Sequence, residues 1–507
     1  MAKHNRNRTD EQRKRLTDNR QTMLEAISCQ HDCKDPSTQS AGMTVILERF
    51  AVRGTDKAVV PYEGSPGMAQ ILGQLALTYP DGQIFSDGHL LGVQGRLGID
   101  GLPGPIAVRA TLGAGGQVVL AIGPIREIAH ALDVVQVFDR QFHLACKAIG
   151  VECELVSQGC HPSARLASDV PIVPTARNAL VNTYLARMGP SALDYLRCTA
   201  ATVLRLPVAD DEAAATRRYQ LCVALAPIMA FLTDNSLRLH GCDPHETPRM
   251  ARARLAHAAD AQRCGLVPGS LGDGFGFEAY ERWVEGIRPI VFASQDGVTF
   301  STGTDTCKRV MEERELTHSE ALHLLGMAWP DVRWNGFLEL ACADSLQPRL
   351  ACGYAALVKG LVASARSQER AGALIGLDSL DDDAILDAWD QLATRGWDAR
   401  VYGKPAGSLV EGLALIARDG LENPGERRLL DELAQLWEVR IVPRDTLVAN
   451  WDRMHPHTTR QEAAELYGEG AIIPYDELDG EPPAGQTAVI DLRQIQEALA
   501  QSDAQQD

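Results

Sequence analysis

The sequence predicts an α+β fold with an antiparallel β-sheet in its first two-thirds and a helical last third. Three observations carry this. Strand-like and helix-like segments alternate over the first two-thirds. Val108 to Leu112 and Gln117 to Ile122 read as two strands joined by a glycine turn. From Leu346 to about residue 440 helical patterning dominates.

Taken in order, residues 1–40 are polar, mixed in charge and poor in large apolar side chains, which predicts a frayed tail or a loose helix. Thr44 to Val52 has strand character, and Val59 to Gly64 continues it. Ser65 and Pro66 read as an N-cap and a first-turn proline. Met68, Ile71, Leu72 and Leu75 then line one face of a helix. A long amphipathic helix is predicted from Pro124, carried by Ile125, Ile128, Leu132, Val135, Phe138 and Phe142. Leu193 to Leu206 begins helical and passes into a strand near Thr199; Asp211 to Phe231 is a strong helix. His318 to Met327 reads as helix and Val332 to Leu340 as strand. GEPPAGQ, residues 480–486, reads as a linker before a small strand and helix. The expected organisation is a tail over 1–40, a main domain over 41–450 and an extension over 451–507.

The 507 residues carry 45% hydrophobic and 23% charged side chains, ordinary for a globular protein. A net charge of −18 argues against nucleic acid as the main partner, because phosphate backbones select basic surfaces. No run approaches the roughly 18 apolar residues of a membrane span, and the basic start lacks the apolar core of a secretory signal. Twelve cysteines scattered through a long chain read as reduced thiols, so a cytoplasmic location is expected.

Four blocks between residues 44 and 450 carry a resemblance. VILERFAV and PYEG come first. SDGHLLGV leads into the hairpin TLGAGGQVVLAIGP. The third block runs from Arg177 through ALDYLRCTAATVLRL to LTDNS, followed by Arg252, Arg263 and the segment GLVPGSLGDGFGFEAYERW. WPDVRWNGFLELACAD is the last. Together they resemble the glutamate–cysteine ligases of the plant and bacterial type. That resemblance implies a cup-shaped antiparallel sheet flanked by helices, shared with glutamine synthetase. It also implies ATP-dependent ligation of glutamate to cysteine, giving γ-glutamylcysteine, with ATP and Mg²⁺ as cofactors and amino acids as substrates.

The departures fall on the chemistry. The family's paired strand glutamates, E-x-E, are represented by Glu48 alone, with Ile46 at the first position. The hairpin, usually close to L-E-P-G-G-Q-F-E-L-S, has Gly113 and Val119 at its glutamates, although Gly115, Gly116 and Gln117 are kept. Polar strand positions are taken by Ala201 or Val203, and Ala341 replaces an arginine beside the retained Arg333, Glu339 and Asp344. Magnesium prefers oxygen ligands, and glycine, isoleucine and valine supply none. The resemblance therefore leaves Glu48 and Glu339 as catalytic and metal candidates, with Glu63 or Asp87 as substitutes. Gln117, Asn235, Arg252 and Arg263 are the substrate-binding candidates, the arginines for their bidentate grip on carboxylate or phosphate. Plain alternatives stand beside them: ion pairs for the arginines and Glu339, a tight turn for the glycines.

Two function classes follow. One is an active ligase. The other is a degenerate ligase that binds an amino acid or a protein partner without turnover. Weaker readings are zinc at His240, Cys242 and His245 with Cys264, and a metal or disulfide at Cys29 and Cys33. Asp381–Asp383 reads as a charge run at a helix start. Gly-Lys-Ser/Thr phosphate loops and a G-x-S-x-G nucleophile elbow are absent.

Overall fold

Nine strands form one sheet in which every pairing is antiparallel. They are β1 (Met43–Arg53), β2 (Gln83–Ser86), β3 (His89–Leu97), β4 (Ile106–Leu112), β5 (Val118–Ile125), β6 (Cys153–Val156), β7 (Ala201–Leu206), β8 (Val332–Trp334) and β9 (Leu338–Asp344). Their spatial order is β8-β9-β7-β1-β5-β4-β3-β2, with β6 on the far half of β1. The computed structural model describes residues 2–28, 42–99, 102, 104–209, 211–294 and 298–454. The expected linker at 480–486 and the Cys29/Cys33 pair lie outside these.

The helices are α1 (Ala2–Ser28), α2 (Met68–Ala76), α3 (Ala129–Ala148), α4 (Ala176–Leu185), α5 (Pro190–Cys198) and α6 (Glu212–Leu232). Then come α7 (Ala251–Ala259), α8 (Phe277–Glu285), α9 (Cys307–Glu313), α10 (His318–Leu325) and α11 (Pro348–Val362). The helical C-terminal region continues through α12 (Ala365–Ile375), α13 (Asp382–Arg395), α14 (Ala406–Gly420), α15 (Pro424–Glu438) and α16 (Pro443–Met454).

Strand side chains alternate between faces. Val45 and Leu47 of β1, Leu120 and Ile122 of β5, and Leu204 of β7 point into the main core with Phe138 of α3, Phe231 of α6 and Tyr354 of α11. Helix α6 is buried on almost its whole circumference from Leu221 to Leu232, which marks it as the central core helix.

Several expectations change. Residues 2–28 form a helix packed on α8, α9 and α10, with Asn19, Met23, Ala26 and Ile27 buried at helical spacing. Asn19 donates to the carbonyls of Met311 and Arg314 and accepts from the Leu316 N–H. Replacing Ile27 with Asp buries a charge at this contact. We expect a loss of about 3 kcal/mol in urea denaturation and faster proteolysis of α1.

Val59 makes only an isolated bridge to Val52 rather than a strand, and α2 starts after Gly67, not at Pro66. Strand β5 runs on to Ile125, so α3 begins at Ala129. Val332–Leu340 is two strands, not one, because Asn335 and Gly336 turn the chain, Gly336 with a φ of 71°.

Candidate functional site

The register sets out three rows of side chains on the sheet face turned away from α3, α6 and α11. One row runs Arg109, Ala121, Ile46 and Val203 across β4, β5, β1 and β7. Ala341 of β9 packs at its end. A second runs Thr111, Val119 and Glu48 across β4, β5 and β1, beside Ala201 of β7. The third runs Thr44, Arg205, Glu339 and Arg333 across β1, β7, β9 and β8. Neighbouring strands lie about 4.8 Å apart and neighbouring rows about 7 Å. The middle of this face is therefore apolar. Ile46, Ala201 and Val203 are buried there against Val119, Ala121 and Ala341, in a cluster separate from the main core.

The charged residues sit round this strip. Glu48 is half-buried, and its Oε2 accepts the Ala201 N–H at 2.9 Å. Burial raises its pKa, opposed by that N–H and by Arg252, with Glu339 adding to the rise and Arg333 opposing it. Arg252, Glu339 and Arg333 are thus each within electrostatic reach of Glu48. Glu339 is 1% exposed and held from both sides. Arg205 Nε donates to its Oε2 at 2.5 Å and Arg333 Nε to its Oε1 at 2.6 Å. Burial alone would raise the Glu339 pKa, but Arg333 and Arg205 override it and the net shift is downward. Tyr195 of α5 joins the group: burial raises its pKa, and Arg252, Arg333 and Glu48 all act on it.

The other expected site residues are built into the frame. Arg252 Nε donates to Asp344 Oδ1 at 2.9 Å and Nη2 to the Ala341 carbonyl at 2.9 Å. Arg263 is fully buried, donating to Asp260 Oδ2 at 2.7 Å and to the carbonyls of Met327 and Arg288. Asn235 Nδ2 donates to the carbonyls of Ser157 and Ser345. Gln117 Nε2 donates to the carbonyls of Arg197 and Thr199, while its Oε1 accepts the Gly115 N–H. Gly115 is needed for close approach, since a Cβ there would lie 2.3 Å from the Arg197 carbonyl oxygen; Gly116 takes a φ of 80°. So the hairpin glycines and Gln117 fasten β4–β5 to the α5–β7 junction.

Sequence reasoning did not assign Arg177, Arg205 or Tyr195 to the site. Arg177 opens α4 and makes no ion pair with a described residue. Its side chain is open to solvent, yet crowding by the surrounding protein, then the charge of Arg333, lowers its pKa. Arg205 was findable in principle: alternation along β7 puts it on the face of Ala201 and Val203.

Residues 105–386 match the model of glutamate-cysteine ligase family 2 (GCS2), more than half of the chain. The chain belongs to that family. Its relatives include the chloroplastic glutamate–cysteine ligase of Brassica juncea, 24% identical over 303 residues, 58% of this chain and 55% of that relative. That of Medicago truncatula is 23% identical over 363 residues, covering 68% and 69%. Ligase B of Oryza sativa subsp. japonica is 24% identical over 405 residues, 76% of each chain. The chain thus spans little more than half the length of the Brassica relative.

Ligases of this family use ATP and Mg²⁺, and the donor set here does not fit several magnesium ions. Among the described residues no three His, Cys, Asp or Glu side chains converge as metal ligands. Both oxygens of Glu339 are occupied by guanidinium groups, and the positions beside Glu48 are apolar. Glu63 and Asp87 are exposed, and Asp87 accepts the Ala176 N–H at 2.9 Å at the start of α4. The zinc reading fails on geometry too. His240 pairs with Asp194 and His245 with Asp452, while Cys264 is buried in a separate two-residue strand beside Trp329. Asp381 caps α13 through the Ala384 N–H, as its charge run suggested. No helix among the described residues is long and apolar enough to cross a membrane.

Proposed function

We propose that this family member binds a small amino acid at the sheet face that carries Glu48 and Glu339, the floor of a ligase-type cup, and does not perform magnesium-dependent phosphoryl transfer there. The observation that carries this is the Arg205–Glu339–Arg333 row beside an apolar strip. Phosphoryl transfer is mostly positioning and charge neutralisation by fixed cations. Here guanidinium groups supply the positive charge, and they suit a carboxylate directly. Arg177, free of any ion pair with a described residue, is the group to grip it. Glu48 is the acceptor facing the ligand's ammonium.

A second reading, a working glutamate–cysteine ligase, is favoured by Glu48 alone, which stands on β1 facing the strip. Calorimetric titration with ATP, with and without magnesium, separates the two when paired with a phosphate-release assay containing glutamate and cysteine. We expect no magnesium-dependent ATP binding and no amino-acid-stimulated release. We also expect amino-acid binding that weakens at least about ten-fold in Arg177→Ala. Magnesium-dependent binding with stimulated phosphate release would overturn the proposal in favour of the ligase.

A further inference from the structure

We infer that an acidic segment of this same chain, residues 475–481 (YDELDGE), docks on an arginine corner of the sheet formed by β3 and β4. The register pairs Gln94 of β3 with Arg109 of β4, and Arg96 with Ala107. Alternation then sets Gln94, Arg96 and Arg109 on one face, the face that carries Ala121 and Ile46. All three are exposed, at the margin of that face and away from its buried centre. On the other face of β3, Val93 is buried in the main core with Ile71 and Leu72 of α2. Arg96 Nη2 donates to the Pro105 carbonyl at 3.1 Å, and neither arginine makes an ion pair with a described residue. Diagonal neighbours on paired strands lie about 7–8 Å apart, close enough for like charges to oppose each other. An anion held between the two guanidinium groups removes that opposition.

The chain itself supplies the anion. Residues 455–507 carry eleven Asp and Glu against two Arg, so about a tenth of the sequence holds half of its net charge of −18. Four of those carboxylates, Asp476, Glu477, Asp479 and Glu481, fall within six residues. An extended chain presents alternate side chains on one side about 7 Å apart, so Glu477 and Asp479 match the spacing of Arg96 and Arg109. Each guanidinium offers a carboxylate a forked pair of donors. Reach is sufficient. Helix α16 ends at Met454, where Asp452 pairs with His245 at 2.9 Å and Arg238 lies 5.1 Å over the Trp451 ring. His240, in the loop between Arg238 and His245, pairs with Asp194 of α5. That helix ends at the junction to which Gln117 fastens β4–β5. The 21 residues from Met454 to Tyr475 span up to about 70 Å, against a radius of gyration near 23 Å for a folded chain of this length. Docking here requires neither an amino acid nor magnesium.

The test is calorimetric titration with a synthetic YDELDGE peptide, using two full chains. One is unaltered; the other carries Asp476→Asn, Glu477→Gln, Asp479→Asn and Glu481→Gln. A tethered segment competes at a millimolar effective concentration, so the peptide is expected to bind the substituted chain at least about ten-fold more tightly. Adding Arg109→Glu to the substituted chain is expected to abolish that binding. Raising salt from about 50 mM to about 500 mM is expected to weaken it at least ten-fold. Equal affinity for both chains, no binding to the substituted chain at about 5 mM peptide, or binding that survives Arg109→Glu overturns the inference. Should Arg109→Glu fail to fold, Arg109→Lys in the otherwise unaltered chain gives a second reading. Carbodiimide is then expected to form an amide between position 109 and a carboxylate of residues 476–481, found by mass spectrometry in the monomer and lost at high salt. A cross-link found only in dimers assigns the corner to a second copy of the chain and overturns the intramolecular docking.

Discussion

Asp344→Ala is expected to cost about 3–5 kcal/mol of folding stability, seen as a large drop in the urea midpoint. Asp344 is buried and uses both oxygens. Oδ1 accepts from Arg252 Nε at 2.9 Å. Oδ2 accepts the Asn235 N–H at 2.9 Å and the Ser236 hydroxyl at 2.8 Å. These contacts tie the end of β9 to α7 and to the segment after α6. The fit is close: a Cβ on Gly159 would lie 2.1 Å from Asp344 Oδ2. Alanine removes the carboxylate and leaves the Arg252 guanidinium, 4% exposed, with the Ala341 carbonyl as its remaining acceptor among the described residues. A buried charge that loses its partner is what makes the loss large; the pair itself adds less. Hence Arg252→Met combined with Asp344→Leu is expected to cost less than the sum of the single changes. Additive losses would show that the two residues stabilise the fold independently.

The same pair shows how far the sequence could be read. Arg252, Arg263 and Asp344 stand at family positions, and the pattern alone gave no means of separating a ligand-gripping arginine from a framework arginine. Contacts separate them. Arg263 is closed in by Asp260, Met327 and Arg288, whereas Arg177 makes no ion pair with a described residue. The loss of hairpin carboxylates was legible directly, since Gly113 and Val119 have no oxygen to offer. That the vacated face became a continuous apolar strip was not, because it depends on how β5, β1, β7 and β9 align. The strand order places β9 beside β7, and only that neighbour relation brings Arg205 onto Glu339.

Local structure divided in the same way. The core helices and the glycine hairpin carried strong periodicity and turn chemistry. Helix α1 was masked by its composition: it has few large apolar residues, yet Met23, Ala26 and Ile27 fall on one face with Asn19. Asn335–Gly336 was a hairpin signal inside what reads as one strand, and the apolar run around it concealed the turn.

Stability is expected to fall between about pH 6.5 and about pH 8, with Glu281 as the main cause. Glu281 of α8 is 3% exposed, and burial, then the neighbouring Glu285, push its pKa from an ordinary 4.5 up to about 8. Arg20 of α1 and Arg282 oppose the rise. Arg20 is committed to Glu285, with Nε at 2.6 Å from Oε1 and Nη2 at 2.9 Å from Oε2. A group with a raised folded pKa binds more protons in the folded chain than in the unfolded one between the two values. Its contribution is complete at low pH and is lost as pH climbs through the folded value. Asp234, pushed up to about 7 by burial and Asp344, acts in the same direction over the lower part of this range. His257, with its pKa raised against the pull of burial by Asp331, does so as well. His161 works the other way, since burial lowers it to about 4, but that effect is spent above its ordinary 6.5. Above that point Glu281 stands largely unopposed, and about 1.5 pH units at about 1.4 kcal/mol each gives a loss near 2 kcal/mol. Glu281→Gln should flatten the urea midpoint across this window, and Asp234→Asn only its lower part. A midpoint that rises from pH 6.5 to 8 in the unaltered protein would mean that Glu281 is ionised throughout, and that Arg20 holds both α8 carboxylates to α1.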